Sequence, residues 1–216
     1  MIVTHWGYNL ITNASLPDFI TAQEFSSFTN GKFGIQDQRI SANIPSASET
    51  IRNYCGWHVA PNLTCETIYN IRDLRDAMVG NDLSVQLPAT FVTGVEKILL
   101  DPKAVNGDYV GELAEDFDLD TSCGLLKIYD VGCRDRKSKI FIRYSAGYSL
   151  DQLSSIKELA SNLVTHALVN PYGVSSETAG GVSVSYSALI ASTANSTTLT
   201  ADSREVLSAY KRRGVY

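Results

Sequence analysis

Four cysteines, three histidines and a short run of alternating aspartates are the residues in this 216-residue chain with the means to do chemistry. Cys55, Cys65, Cys123 and Cys133 form two pairs with the same nine-residue gap, which invites a zinc site or a disulfide. Neither pair has the CxxC or Cys/His spacing of a zinc finger, so the four read as thiols packed like small hydrophobes. Asp116, Asp118 and Asp120 copy the first half of a calcium loop, but the sixth position is Thr121 where glycine is needed, and the twelfth is Lys127 where a glutamate would close the shell. With Phe117 and Leu119 between them, they are expected on the wet face of a strand. His5, His58 and His166 lie far apart, without an HExxH run or a nucleophile elbow, and His166 reads as a structural residue beside an apolar helix face. Gly180 and Gly181 have neither a GK[ST] ending nor a GxGxxG frame, so they make a turn and not a phosphate cradle. The expectation is a protein that is not an enzyme and that uses no cofactor or metal.

What the chain does offer is surface for other proteins. The segment ETAGGVSVSYS predicts a two-stranded finger with unpaired edges, carried by Glu177, Gly180, Gly181, Val182, Val184 and Tyr186. Beyond a polar linker over 192–198, a last helix places Val206, Leu207 and Tyr210 on one side and ends in Lys211, Arg212 and Arg213, with Tyr216 beyond. Three bases there would complement the helix dipole, yet arginines interleaved with aromatics also anchor interfaces, and both readings stand. A net charge of -5 argues against a protein whose task is to grip nucleic acid, though not against DNA sliding past a mildly acidic wall.

The elements that must position these residues follow from period and punctuation. With 44% hydrophobic residues the chain can build a core. No basic leader and no apolar run of membrane length is seen, so a chain made and kept in cytoplasm is expected. Residues 1–20 carry no period and read as an N-terminal arm. Thr21 with Glu24 forms a capping box for a short helix. Ile40, Ile44, Ala47, Ile51, Tyr54 and Cys55 recur at steps of four and three, one helical stripe that keeps phase through Pro45 as a kinked helix or two abutting ones and stops at Gly56. From 59 to 149 short runs alternate with Pro88, Asp101-Pro102, Asn106-Gly107 and Gly132, the punctuation of an antiparallel sheet. Leu153, Ile156, Leu159, Ala160, Leu163, Val164, Ala167 and Leu168 then form the widest apolar helix face, which Asn170-Pro171 ends. The fold class is therefore α+β: a small helical bundle core (21–58 and 150–172), an inserted antiparallel β domain (59–149), a β-hairpin finger and linker (173–199) and a C-terminal docking helix and tail (200–216).

Taken in order, these features resemble the head-to-tail connector (adaptor) proteins of long-tailed bacteriophages. The likeness rests on the stripe ending in YCGW (Tyr54 to Trp57), a β insertion closing with IRYSAGYS (Ile142 to Ser149), a helix of the LSSIKELASNLVTHAL type, the SETAGGVSVSYS segment and an LTADSREVLSAYKRRGV ending. It covers about half the chain. The resemblance implies a structural virion protein at the neck: a homododecameric ring beneath the portal protein, extending the channel for phage DNA without sequence-specific binding. The ring's other face would receive the stopper or tail-completion protein, and no membrane is involved. Val206, Leu207, Tyr210, Lys211, Arg212, Arg213 and Tyr216 would then dock on the portal, and the finger would serve between subunits or at the lumen. The alternative from another class is a soluble phage tail or tail-tip binding module without catalytic activity, which its stoichiometry would distinguish.

Overall fold

The computed structural model describes residues 2–12, 14–105, 108–132, 138–169, 176–179, 182–185 and 199–212. The chain is α+β and divides into two compact units: residues 17–55 with 150–210, which is helical, and 1–16 with 56–149 and 211–216, which is β.

In the helical unit the caps form where the sequence places them. Thr21 accepts from the backbone N–H of Glu24, whose carboxylate accepts from Thr21 N–H in return, so two orphan donors open helix α1 (Ala22–Phe28) satisfied. Helix α2 (Gln38–Cys55) runs through Pro45 as one helix, held by the stripe Ile40, Ile44, Ala47, Ile51 and Cys55, all buried. Two polar side chains share that buried side. Ser48 Oγ accepts from Phe19 N–H at 3.1 Å, and the Arg52 guanidinium lies 4.5 Å over the Phe19 ring and donates to Pro17 O at 2.5 Å. The segment before α1 is thereby pinned to α2.

A 3₁₀ turn over Leu150–Gln152 leads into helix α3 (Ser154–Val169). Its buried face, Ile156, Leu159, Ala160, Leu163, Val164 and Leu168, packs along α2; each large side chain so buried is worth about 1.5–3 kcal/mol. Lys157 Nζ meets Glu24 Oε1 at 2.7 Å and, by that hydrogen bond first, holds the Glu24 carboxyl below its usual range. Strands β11 (Ser176–Ala179) and β12 (Val182–Ser185) pair antiparallel with Ala179 opposite Val182. Helix α4 (Ala201–Ser208), capped by Thr200 through Ser203 N–H, contacts both α2 and α3.

The β unit contains a six-stranded antiparallel sheet in the order β1 (Ile2–Val3), β2 (Asn9–Leu10), β3 (Leu63–Asn70), β10 (Lys139–Ala146), β6 (Val92–Val105) and β7 (Asp108–Leu113). A four-stranded sheet orders β4 (Met78–Val79), β5 (Asp82–Gln86), β9 (Leu125–Ile128) and β8 (Phe117–Asp120). Part of the aperiodic N-terminal segment thus becomes strand: Leu10 pairs with Cys65 and Asn9 with Glu66. The aspartates of β8 sit where alternation puts them, Asp118 and Asp120 exposed and Phe117 and Leu119 half-buried.

Two departures have local causes. In β10, where alternation would bury one face, Ile140, Ile142 and Tyr144 are buried and Phe141 on the opposite face is fully buried too, because the Tyr109 ring sits 4.7 Å from it. The strand expected to stop before Asp101-Pro102 continues to Val105: the proline has no N–H to give, and the pairing with β7 shifts register between Leu100 and Lys103 to accommodate it.

Candidate partner-docking surfaces

The C-terminal residues expected to dock fall into distinct environments. On α4, Leu207 is fully buried and so anchors the helix within its own unit, whereas Val206 is 44% exposed and Tyr210 half-buried. Tyr54 Oη donates to Arg204 O at 3.3 Å, a second tie between α2 and α4. Leu207 therefore cannot present its side chain to a partner in this arrangement; the outward apolar residue is Val206. Lys211 is exposed, and Arg212 belongs to the β unit, where Nη1 donates to Trp6 O at 3.0 Å. The Arg212 Cβ also lies 3.6 Å from where a side chain on Gly56 would begin; Gly56, with φ of 77°, closes α2 as a left-handed cap. Arg213 and Tyr216 lie outside the described residues.

An Arg212→Ala chain is expected to lose about 1–2 kcal/mol, the value of a charge-assisted bond to a half-buried carbonyl. Lys211→Ala is expected to stay within about 0.5 kcal/mol of the parent. Urea unfolding of the two beside the parent checks this; an Arg212→Ala chain as stable as the parent would mean that Arg212 anchors nothing.

In the finger, the backbone of Glu177, Val182 and Val184 is in the β11–β12 pair, Glu177 opposite Val184. Gly180, Gly181 and Tyr186 lie outside the described residues.

Sequence reasoning placed no role on Tyr8, and read His58 only as isolated. They form the polar heart of the β unit. His58 is fully buried, its Nε2 lies 3.0 Å from Ala146 O, and its Nδ1 lies 2.7 Å from Tyr8 Oη, which also accepts from His58 N–H at 3.0 Å. A carbonyl only accepts, so Nε2 carries a proton, and both ring nitrogens have a partner. Trp57 lies edge-on to His58 and near Tyr148, and Tyr148 stacks on Phe91 at 4.4 Å. Two segments of the resemblance, the Gly56-Trp57 end of YCGW and the AGY of IRYSAGYS, thus meet in one packing cluster. Nearby, burial pushes the Cys65 thiol and the Tyr69 hydroxyl up to about 12 and Tyr144 well above its usual range. None of these is a nucleophile at neutral pH.

Cys55, Cys65 and Cys123 are buried thiols, and Cys133 is outside the described residues. Asp120 is held at about 2 by the Ser122 hydroxyl, the Cys123 thiol and the Ser122 N–H, which makes it a turn cap. Among the described residues no group of three or more His, Cys, Asp or Glu is placed to hold a metal ion. No described helix is long and apolar enough to cross a membrane.

The buried polar groups are spent on packing, and exposed apolar residues such as Phe28, Val169, Val105 and Leu113 stand at helix ends and strand edges. Residues 18–213 match the family of head completion proteins, and the chain belongs to that family. It is a bacteriophage structural protein, a component of the virion that acts at head completion, and the family is not catalytic. No curated protein matches it.

Proposed function

We propose that the chain is the head-to-tail connector of its phage. Copies close into a homododecameric ring beneath the portal protein, extend the channel for DNA and offer their other face to the stopper or tail-completion protein at the neck. The observation that carries this reading is α4: Leu207 ties it to its own unit while Val206 is turned outward, so the helix is held rigid with an apolar residue left for a partner. Lys211, exposed in the β unit, adds a charge that steers encounter with acidic portal groups. A head-to-tail ring needs two different complementary surfaces per chain. Among the described residues β7 ends the larger sheet and β11 and β12 pair only with each other, which offers strand edges for one of them. The acidic balance of -5 suits a lumen through which DNA slides without being gripped.

Native mass measurement of the purified full chain, alone and mixed with portal, tests this. The expected outcome is a closed oligomer, or monomers that assemble into one on portal. Monomers or trimers that ignore portal would instead favour a tail-tip module.

A further inference from the structure

The β6–β7 hairpin doubles back over its own sheet. Lys97 and Val105 are eight residues apart on β6, so a regular strand would set Lys97 about 26 Å from Val105 and from Asp108, its partner across the hairpin. Yet Lys97 Nζ donates to Tyr109 O at 2.9 Å and lies 4.0 Å from Asp108 Oδ2. The bend is at Asp101, whose φ of 49° is left-handed, followed by Pro102 and the register shift. Gly111 makes the close crossing possible, since a Cβ there would sit 2.7 Å from Leu100 O.

Under the returned hairpin runs an apolar row. Ile68, Phe141, Leu99 and Leu113 are mutual partners across β3, β10, β6 and β7. The two ends are 42% and 52% exposed, while Phe141 and Leu99 in the middle are 0% and 2% exposed. Tyr109 lies on Phe141, and Asp108 Oδ1 accepts from Arg143 Nη2 at 2.8 Å. We infer that the strand segments over 101–105 and 108–113 are a releasable, salt-sensitive cover on the outer face of this sheet, latched by Asp108 on Arg143 and Lys97 and by Tyr109 on Phe141.

The charges are arranged so that release leaves no stranded ion. Arg143 also pairs with the nearly buried Glu66 at 2.6 Å, a contact to which Asp108 contributes no atom. Asp108, with its side chain 55% exposed, is the replaceable member, and its bonds are the ones that salt screens. Closed, the unit hides Phe141 and Leu99 in the middle of the row; open, it presents them beside Ile68 together with an unpaired strand edge.

Amide hydrogen exchange on the full chain tests this, with Asp108→Lys and Tyr109→Ala beside the parent. At low salt both variants are expected to exchange about tenfold faster over 101–105 and 108–113, with β3, β10 and α3 as well protected as in the parent and with increased binding of an apolar dye. Raising salt to about 0.5 M should produce the same change in the parent and add little to Asp108→Lys. Variants that exchange like the parent, or a parent indifferent to salt, would show that these contacts do not hold the hairpin. Loss of protection spreading through β3 and β10 would show that it is part of the core and not a cover.

Discussion

A Gly147→Ala chain fails to fold its β unit. Gly147 has a φ of 124°, which side-chain-bearing residues rarely adopt, and an added Cβ would stand 2.3 Å from Pro61 O and 2.8 Å from the carbonyl carbon behind it. Neither is the movable end of a side chain, so the backbone over 59–62 must shift. That shift breaks the bonds on either side, Gly147 N–H to Phe91 O at 3.0 Å and Tyr148 N–H to Val59 O at 2.8 Å, and unseats Tyr148 from Phe91 and Trp57. The combined cost exceeds about 4 kcal/mol, a large share of the 5–15 kcal/mol that holds an ordinary domain together. Circular dichroism and solubility of the purified variant give the answer. A variant that melts like the parent would show that the Pro61 segment yields and that the glycine is not a packing constraint.

Neighbouring positions on α4 are expected to fail in opposite ways. Leu207→Ala empties a fully buried site and costs about 2–4 kcal/mol, with any loss of phage following from instability. Val206→Asp combined with Lys211→Glu changes exposed groups and is expected to keep stability within about 1 kcal/mol. It should nevertheless leave filled heads beside unattached tails, because the outward apolar contact and the steering charge are both reversed. Complementation of a phage lacking the gene, scored by particle morphology alongside the variant's melting temperature, separates the two. Heads that join tails normally with the double variant would remove α4 and Lys211 from the portal contact.

The Asp108 latch also has a defined pH sense. Tyr109 N–H first, then Arg143 and Lys97, hold the Asp108 carboxyl below its usual 3.8. Its contribution is therefore complete above that value and disappears only as pH falls below it, so salt, not mild acid, is the practical lever.

The helical unit was legible because each helix keeps its own account in a contiguous stretch. The four-and-three stripe of α2, the capping box at Thr21 and the wide face of α3 each state a face and an end without reference to anything distant. The β8 aspartates were legible for the same reason, since a period of two shows within five residues. The strand β3 was not, although it lies between β2 and β10 in the larger sheet: Thr64, Glu66 and Thr67 give it no apolar alternation. Their partners, Glu96, Arg143 and the Gly7 carbonyl, are 32, 77 and 60 residues away. Likewise nothing in the sequence marks Arg212 among the three bases, and only the approach of Trp6 from the other end of the chain makes it an anchor. The sequence by itself determined the α+β class, the helices with their caps and the absence of a catalytic motif, because those depend on local period and residue type. Tertiary structure alone decided that Leu207 is core while Val206 is surface, that His58 is buried in hydrogen bonds with Tyr8 and Ala146, and that the β6–β7 hairpin folds back over Phe141. Each of these depends on which distant backbone or side chain arrives to accept a bond or exclude water, and periodicity carries no record of that.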